Sequence, residues 1–133
     1  MSVNPVAKKL GIKPGMRALF VGAPPGYLEL LAPLPEDIVI SDVLSDTHRF
    51  VQLFATRSAE IKKLAPRVLR HATAGALVWI AYPKKTSGVA SDLSREGVCE
   101  AMRSTGWHPV AIVALDEVWS ALRFRPGSEG KRN

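Results

Sequence analysis

Short apolar runs alternate with amphipathic stretches along this chain. Arg17–Val21 (RALFV), Asp37–Ser41 (DIVIS), Phe50–Ala55 (FVQLFA) and Ala76–Tyr82 (ALVWIAY) are compact apolar runs bounded by Gly, Pro, Asp or Ser. Such runs predict strands, and their nearly continuous apolar character predicts cover on both faces of a sheet. Between the third and fourth runs, Ile61, Leu64, Ala65, Val68 and Leu69 fall at helical spacing, behind Ser58 as N-cap and Glu60 in the first turn. Pro66 is expected to kink or split that helix. Asn4-Pro5 predicts a short opening helix that Gly11 ends, and Tyr27–Leu31 a helix of one or two turns. Gly75 is expected as the turn into the fourth strand. Ser94 predicts another N-cap, with Leu93 and Val98 as a hydrophobic staple, and Gly106 closes that helix. Val110–Leu115 and Trp119–Phe124 are two last strands with only Asp116, Glu117 and Val118 between them, so they should pair as an antiparallel hairpin.

Strands alternating with helices imply an α/β domain with a mostly parallel, doubly wound sheet, to which the hairpin adds a reversed strand. A chain of 133 residues fits one domain, here residues 1–125, followed by a polar tail over 126–133 expected to fray. Cys99 is the lone cysteine, which excludes an internal disulfide and a cysteine-rich zinc site. The longest uncharged run, Ala72–Pro83, is too short to cross a bilayer, so no membrane partner and a cytoplasmic location are expected. His48, His71 and His108 have no metal-ligand spacing and read as surface or loop histidines, and no metal site is expected.

A net charge of +6 and a pI near 9.8 favour anionic partners without naming one. Lys62, Lys63, Arg67, Arg70 and His71 read as the solvated face of a helix, because no aromatic residue interleaves with them. More pointed chemistry stands where the fourth strand ends. Tyr82 is followed by Pro83, then Lys84, Lys85, Thr86, Ser87 and Gly88, a group of cations and donors suited to a phosphate or carboxylate. Ligands of open α/β sheets sit beyond the carboxyl ends of the strands. The expected crevice therefore joins Gly22 and Gly26 after the first strand, Asp42 after the second, Tyr82 at the end of the fourth, and Lys84, Lys85, Ser87 and Gly88 beyond it. Asp42 follows Gly22 by 20 residues, the spacing at which an acid holds ribose hydroxyls in dinucleotide folds. The plainer readings are a turn acid and solvated loop lysines.

The order of elements, with its terminal hairpin, resembles a shortened class I methyltransferase fold, the Rossmann-like three-layer core that binds S-adenosylmethionine. The stretches LGIKPGMRALFVGAPPGY (Leu10–Tyr27), WIAYPKKTSGVASDL (Trp79–Leu93) and DEVWSALRF (Asp116–Phe124) also resemble a family of small uncharacterised bacterial proteins, over about Leu10–Phe124. The resemblance implies a methyltransferase-like fold without an assigned activity, and S-adenosylmethionine as the candidate cofactor. Two departures stand out: Val21 occupies the place where methyltransferases usually carry an acid, and Pro24-Pro25 interrupt the glycine loop. Three functions are therefore open. They are a module binding a small anionic or nucleotide-like ligand, a methyltransferase or degenerate relative, and a basic domain that binds nucleic acid or protein. The oligomeric state is not legible in the sequence.

Overall fold

The computed structural model describes residues 3–127 of the chain. From residue 128 onward the expected tail lies outside the described residues, while Pro126 belongs to the last strand. The elements are α1 (Pro5–Leu10), β1 (Arg17–Val21), α2 (Tyr27–Leu31), β2 (Val39–Ser41), β3 (His48–Phe54), α3 (Ser58–Leu69), β4 (Ala72–Pro83), α4 (Arg95–Met102), β5 (Trp107–Ala114) and β6 (Trp119–Pro126). They form one six-stranded sheet in the order β2-β1-β3-β4-β6-β5. Strands β1 to β4 run parallel, and β6 reverses between β4 and β5. This is an α/β, Rossmann-like architecture with a closing antiparallel hairpin.

Side chains alternate across the sheet and so divide the core in two. On one face Leu19, Val51, Leu53, Val78, Ile80 and Leu122 pack against α3 and α4 through Ile61, Ala65, Val68, Val98 and Met102. On the other, Phe20, Phe50, Phe54 and Trp79 pack against α1 and α2 through Ala7, Leu10, Tyr27 and Leu31. Period-two burial on both faces explains why the strands read as unbroken apolar runs.

The helix starts follow their side chains. Asn4 Oδ1 accepts from the amides of Val6 and Ala7, and its Nδ2 donates to the carbonyls of Leu30 (2.9 Å) and Ala32 (3.1 Å). One amide thus caps α1 and grips the end of α2. Ser94 caps α4 through the Gly97 amide at 3.1 Å, and both staple residues, Leu93 and Val98, are buried.

Several sequence expectations are corrected. Arg57, not Ser58, is the N-cap of α3. Acids serve the exposed amides instead: Glu60 accepts from Thr56 (2.8 Å) and Arg57 (3.1 Å), and Asp92 from Ser58 (2.8 Å). Pro66 does not split α3, because the carbonyl it leaves unbonded is that of Lys62, an exposed residue open to solvent. Gly75 does not precede β4 but lies inside it, at φ +78°, in a bulge. Ala72 pairs with His48 and Leu77 with Phe50, so residues 73–76 have no register partner on β3. His48 is no surface residue: it is buried at the start of β3, with Nε2 2.9 Å from the Ser45 carbonyl.

Candidate functional site

Because β1 to β4 are parallel, Val21, Ser41, Phe54 and Pro83 all end at one edge of the sheet. The chain returns from β2 to the far side of β1, so successive crossovers diverge there, where an open α/β sheet forms its natural crevice. A cleft of about 620 Å³ opens at this point, lined by Gly22, Ala23, Pro24, Gly26, Tyr27 and Asp42 among others. Its volume lies within the 300–1,000 Å³ usual for small-ligand pockets.

Gly22 is required by its surroundings. Its φ is +75°, and a Cβ there would stand 3.1 Å from the Phe54 carbonyl oxygen. The loop therefore passes hard against β3 before turning away. Pro24 and Pro25 carry no N–H, which leaves Gly22, Ala23 and Gly26 as the loop's amide-bearing residues. The five-residue α2 is too short to add a useful dipole. Asp42 is exposed on the opposite wall, and its carboxylate makes no hydrogen bond or ion pair among the described residues. A free carboxylate facing a glycine turn can accept from a vicinal diol. The residues present thus fit the nucleoside half of an adenosine-bearing cofactor such as S-adenosylmethionine better than its amino-acid end.

Tyr27, which lines the cleft, belongs to a buried polar pair that was not singled out in the sequence. Tyr27, first in α2, donates its hydroxyl to Gln52 Oε1 on β3 at 2.8 Å, while the Gln52 Nε2 has no partner among the described residues. Around them stand Phe20, Phe54 and Trp119: ring centroids are 6.0 Å apart for Phe20–Tyr27, 4.7 Å for Tyr27–Phe54 and 5.2 Å for Phe54–Trp119. Burial pushes the Tyr27 hydroxyl far above the usual tyrosine range; the Gln52 bond pulls against that, and the negative charge of Asp116 adds to it. Tyr27 is thus a neutral donor at physiological pH. Asp116, in the turn between β5 and β6, accepts from the amides of Val118 (2.8 Å) and Trp119 (2.7 Å) and so shapes the hairpin. The signal for the pair was the lone amide within the otherwise apolar run Phe50–Ala55.

The expected single crevice is corrected to two cavities on one edge. Gly22, Gly26 and Asp42 line the cleft. Lys84 and Lys85 line a separate hollow of about 350 Å³ with Ser91, Asp92 and Ser94. The reason is strand order: β3 stands between β1 and β4, a separation of about 10 Å at two strand spacings. Tyr82 faces neither; it is buried on the α4 side, where burial raises its pKa and the nearby Arg95 opposes the rise. Ser87 and Gly88 end a single 3₁₀ turn, with the Ser87 hydroxyl accepting from the Val89 amide, and line neither cavity. The Lys84 and Lys85 ammonium groups make no ion pair among the described residues. No cluster of three or more His, Cys, Asp or Glu side chains suited to a metal occurs among the described residues. Nor is any helix there long and apolar enough to cross a membrane.

Solved structures similar to this fold include methyltransferases. A SAM-dependent methyltransferase from Aquifex aeolicus superposes with a TM-score of 0.67 at 16% identity, over 90% of this chain and 86% of that one. The DhpI–SAH complex gives 0.63 at 13% identity, over 93% and 84%. Magnesium protoporphyrin IX methyltransferase (ChlM) from Synechocystis PCC 6803 with bound SAH gives 0.58 at 11% identity, over 84% and 74%. At these identities the likeness is one of fold. No family model matches the chain, and no curated protein matches its sequence.

Proposed function

We propose that the β1–β2 cleft binds S-adenosylmethionine, and that the protein is a methyltransferase or a degenerate relative of one. The observation that carries this reading is the unpaired Asp42 carboxylate facing the Gly22–Gly26 turn across a cleft of about 620 Å³. Ribose hydroxyls donate to Asp42, while exposed Ile40 and half-buried Leu28 offer the adenine an apolar wall. When bound, the cofactor supplies an electrophilic methyl group. With two prolines in the turn, few amides meet the cofactor's amino-acid end, so affinity is modest. The chain's fold, shared with proteins solved with SAH, agrees with this reading. A cytoplasmic location goes with it.

Calorimetric titration of the intact protein with S-adenosylmethionine and with SAH tests the proposal. Saturable binding is expected, weakened at least tenfold by Asp42→Ala with an unchanged thermal midpoint, because Asp42 is exposed and unpaired. No heat at millimolar ligand overturns it.

A second reading rests on the unpaired Lys84 and Lys85: a module that holds a small anion in the neighbouring hollow without catalysis. Loss of metabolite binding in the Lys84→Ala, Lys85→Ala double variant, with none in Asp42→Ala, would favour it. Salt-sensitive binding of RNA or DNA that ignores both the Asp42 variant and the lysine double variant would instead point to a basic interaction domain.

A further inference from the structure

The opposite edge of the sheet holds a third, chemically distinct cavity. Where β4 begins, the bulge at residues 73–76 leaves the register of its neighbour, and a hollow of about 320 Å³ forms between it and the end of β6. Gly75, Ala76, Trp107, Arg123, Arg125 and Pro126 contribute to its lining. None of the residues lining it is acidic. Arg123 is half-buried, its Nε is shielded from solvent, and the guanidinium makes no hydrogen bond or ion pair among the described residues. Arg125 is exposed two positions along the same strand, so the two side chains leave the same face about 7 Å apart.

A partly desolvated cation without a partner is costly, and native structures seldom keep one. A second cation beside it raises that cost. We propose that this cavity is a binding site for a phosphate-type oxyanion, held between the guanidinium groups of Arg123 and Arg125. Planar guanidinium forks match a tetrahedral oxyanion by paired N–H donors, which a lysine ammonium does not. The bulge supplies the room, because its backbone departs from the ladder where the arginines emerge. This site is separate from the cleft at the carboxyl edge and stands or falls independently of it.

The probe is inorganic phosphate, titrated into the full-length ¹⁵N-labelled protein at constant ionic strength against chloride. Saturable shifts of the Gly75 and Ala76 amides and of the Arg123 Nε–H are expected. Arg123→Gln and Arg125→Gln should each weaken binding at least tenfold, and Lys84→Ala should leave it unchanged. Shifts that grow linearly without saturating overturn the site, as does phosphate affinity within twofold of wild type in both arginine variants. Should Arg123→Gln lose its fold, exposed Arg125→Gln carries the same comparison. A thermal readout separates binding from structure: Arg123→Met should melt no lower than wild type, since it removes an unpaired charge, and phosphate should no longer raise its midpoint. A lowered midpoint with the phosphate response intact overturns the proposal. Competition identifies the source of the phosphate. Displacement by a short single-stranded RNA, with steep salt dependence, assigns a nucleic-acid backbone; displacement by a sugar phosphate but not the RNA assigns a small metabolite. Failure of both to displace phosphate overturns the site.

Discussion

The two faces of the sheet are built on different plans. The face under α3 and α4 is mostly aliphatic, with Phe124 and Tyr82 as its buried rings, and its helices run to 12 and 8 residues. The face under α1 and α2 has helices of only 6 and 5 residues and is filled by Phe20, Tyr27, Phe50, Phe54 and Trp79. Large rings supply the volume that short helices do not. They also leave a strand-end gap in which a ligand cleft and a buried phenol–amide pair can sit. Aliphatic packing tolerates rearrangement, whereas edge-on rings joined to a directional hydrogen bond do not. The difference assigns tolerance of substitution to one face and site geometry to the other.

The largest test of that contrast is Phe50→Ala, which removes a fully buried ring from the aromatic face. A loss of about 3–5 kcal/mol in denaturant unfolding is expected. By contrast, Leu53→Met on the aliphatic face should cost less than about 1.5 kcal/mol; equal costs would erase the distinction. Tyr27→Phe comes next. It strands the Gln52 carbonyl oxygen as well as the amide nitrogen, a loss of about 1–3 kcal/mol that Gln52→Leu in the same chain should largely restore. Failure of that rescue would show the pair to be incidental. Ser94→Ala, on the helix-covered side, should lower stability by about 1 kcal/mol and leave ligand binding in the cleft untouched.

The smallest effect is absent at neutral pH and emerges in alkali. Burial holds the Tyr27 pKa above its ordinary value of 10.0, so the unfolded chain releases this proton first. The stability tied to the neutral phenol is complete below about pH 10 and declines as pH rises toward the folded value. Tyr82 shifts in the same direction. Unfolding midpoints followed by tyrosinate absorbance should fall with pH in wild type, and less steeply in Tyr27→Phe.

Much of this architecture was legible where its causes are local. β1 coincides with the RALFV run, Asn4-Pro5 starts α1, and Ser94 caps α4, because each depends on neighbours within a few residues. What escaped depends on distant partners. The β4 bulge is visible only against β3, and the amide of Ser58 is capped by Asp92 from 34 residues away. Gly22, Asp42 and Lys85 were expected to share a crevice because each follows a parallel strand. Their separation comes from β3 pairing between β1 and β4, a fact of sheet order rather than of any segment's composition. Gln52 was hidden in plain view, as one amide among apolar neighbours.

Asn4 has a consequence that reaches beyond the helix it begins. The wall of the cleft formed by α2 is fastened at both extremities, by the Tyr27 phenol in front and by the Asn4 carboxamide behind. Aspartate at that position would still begin α1 properly, yet it has no N–H to reach the Leu30 and Ala32 carbonyls. Asn4→Asp should therefore loosen a pocket whose rim it never touches. The footing of that wall rests on a side chain 26 and 28 residues away from the carbonyls it holds.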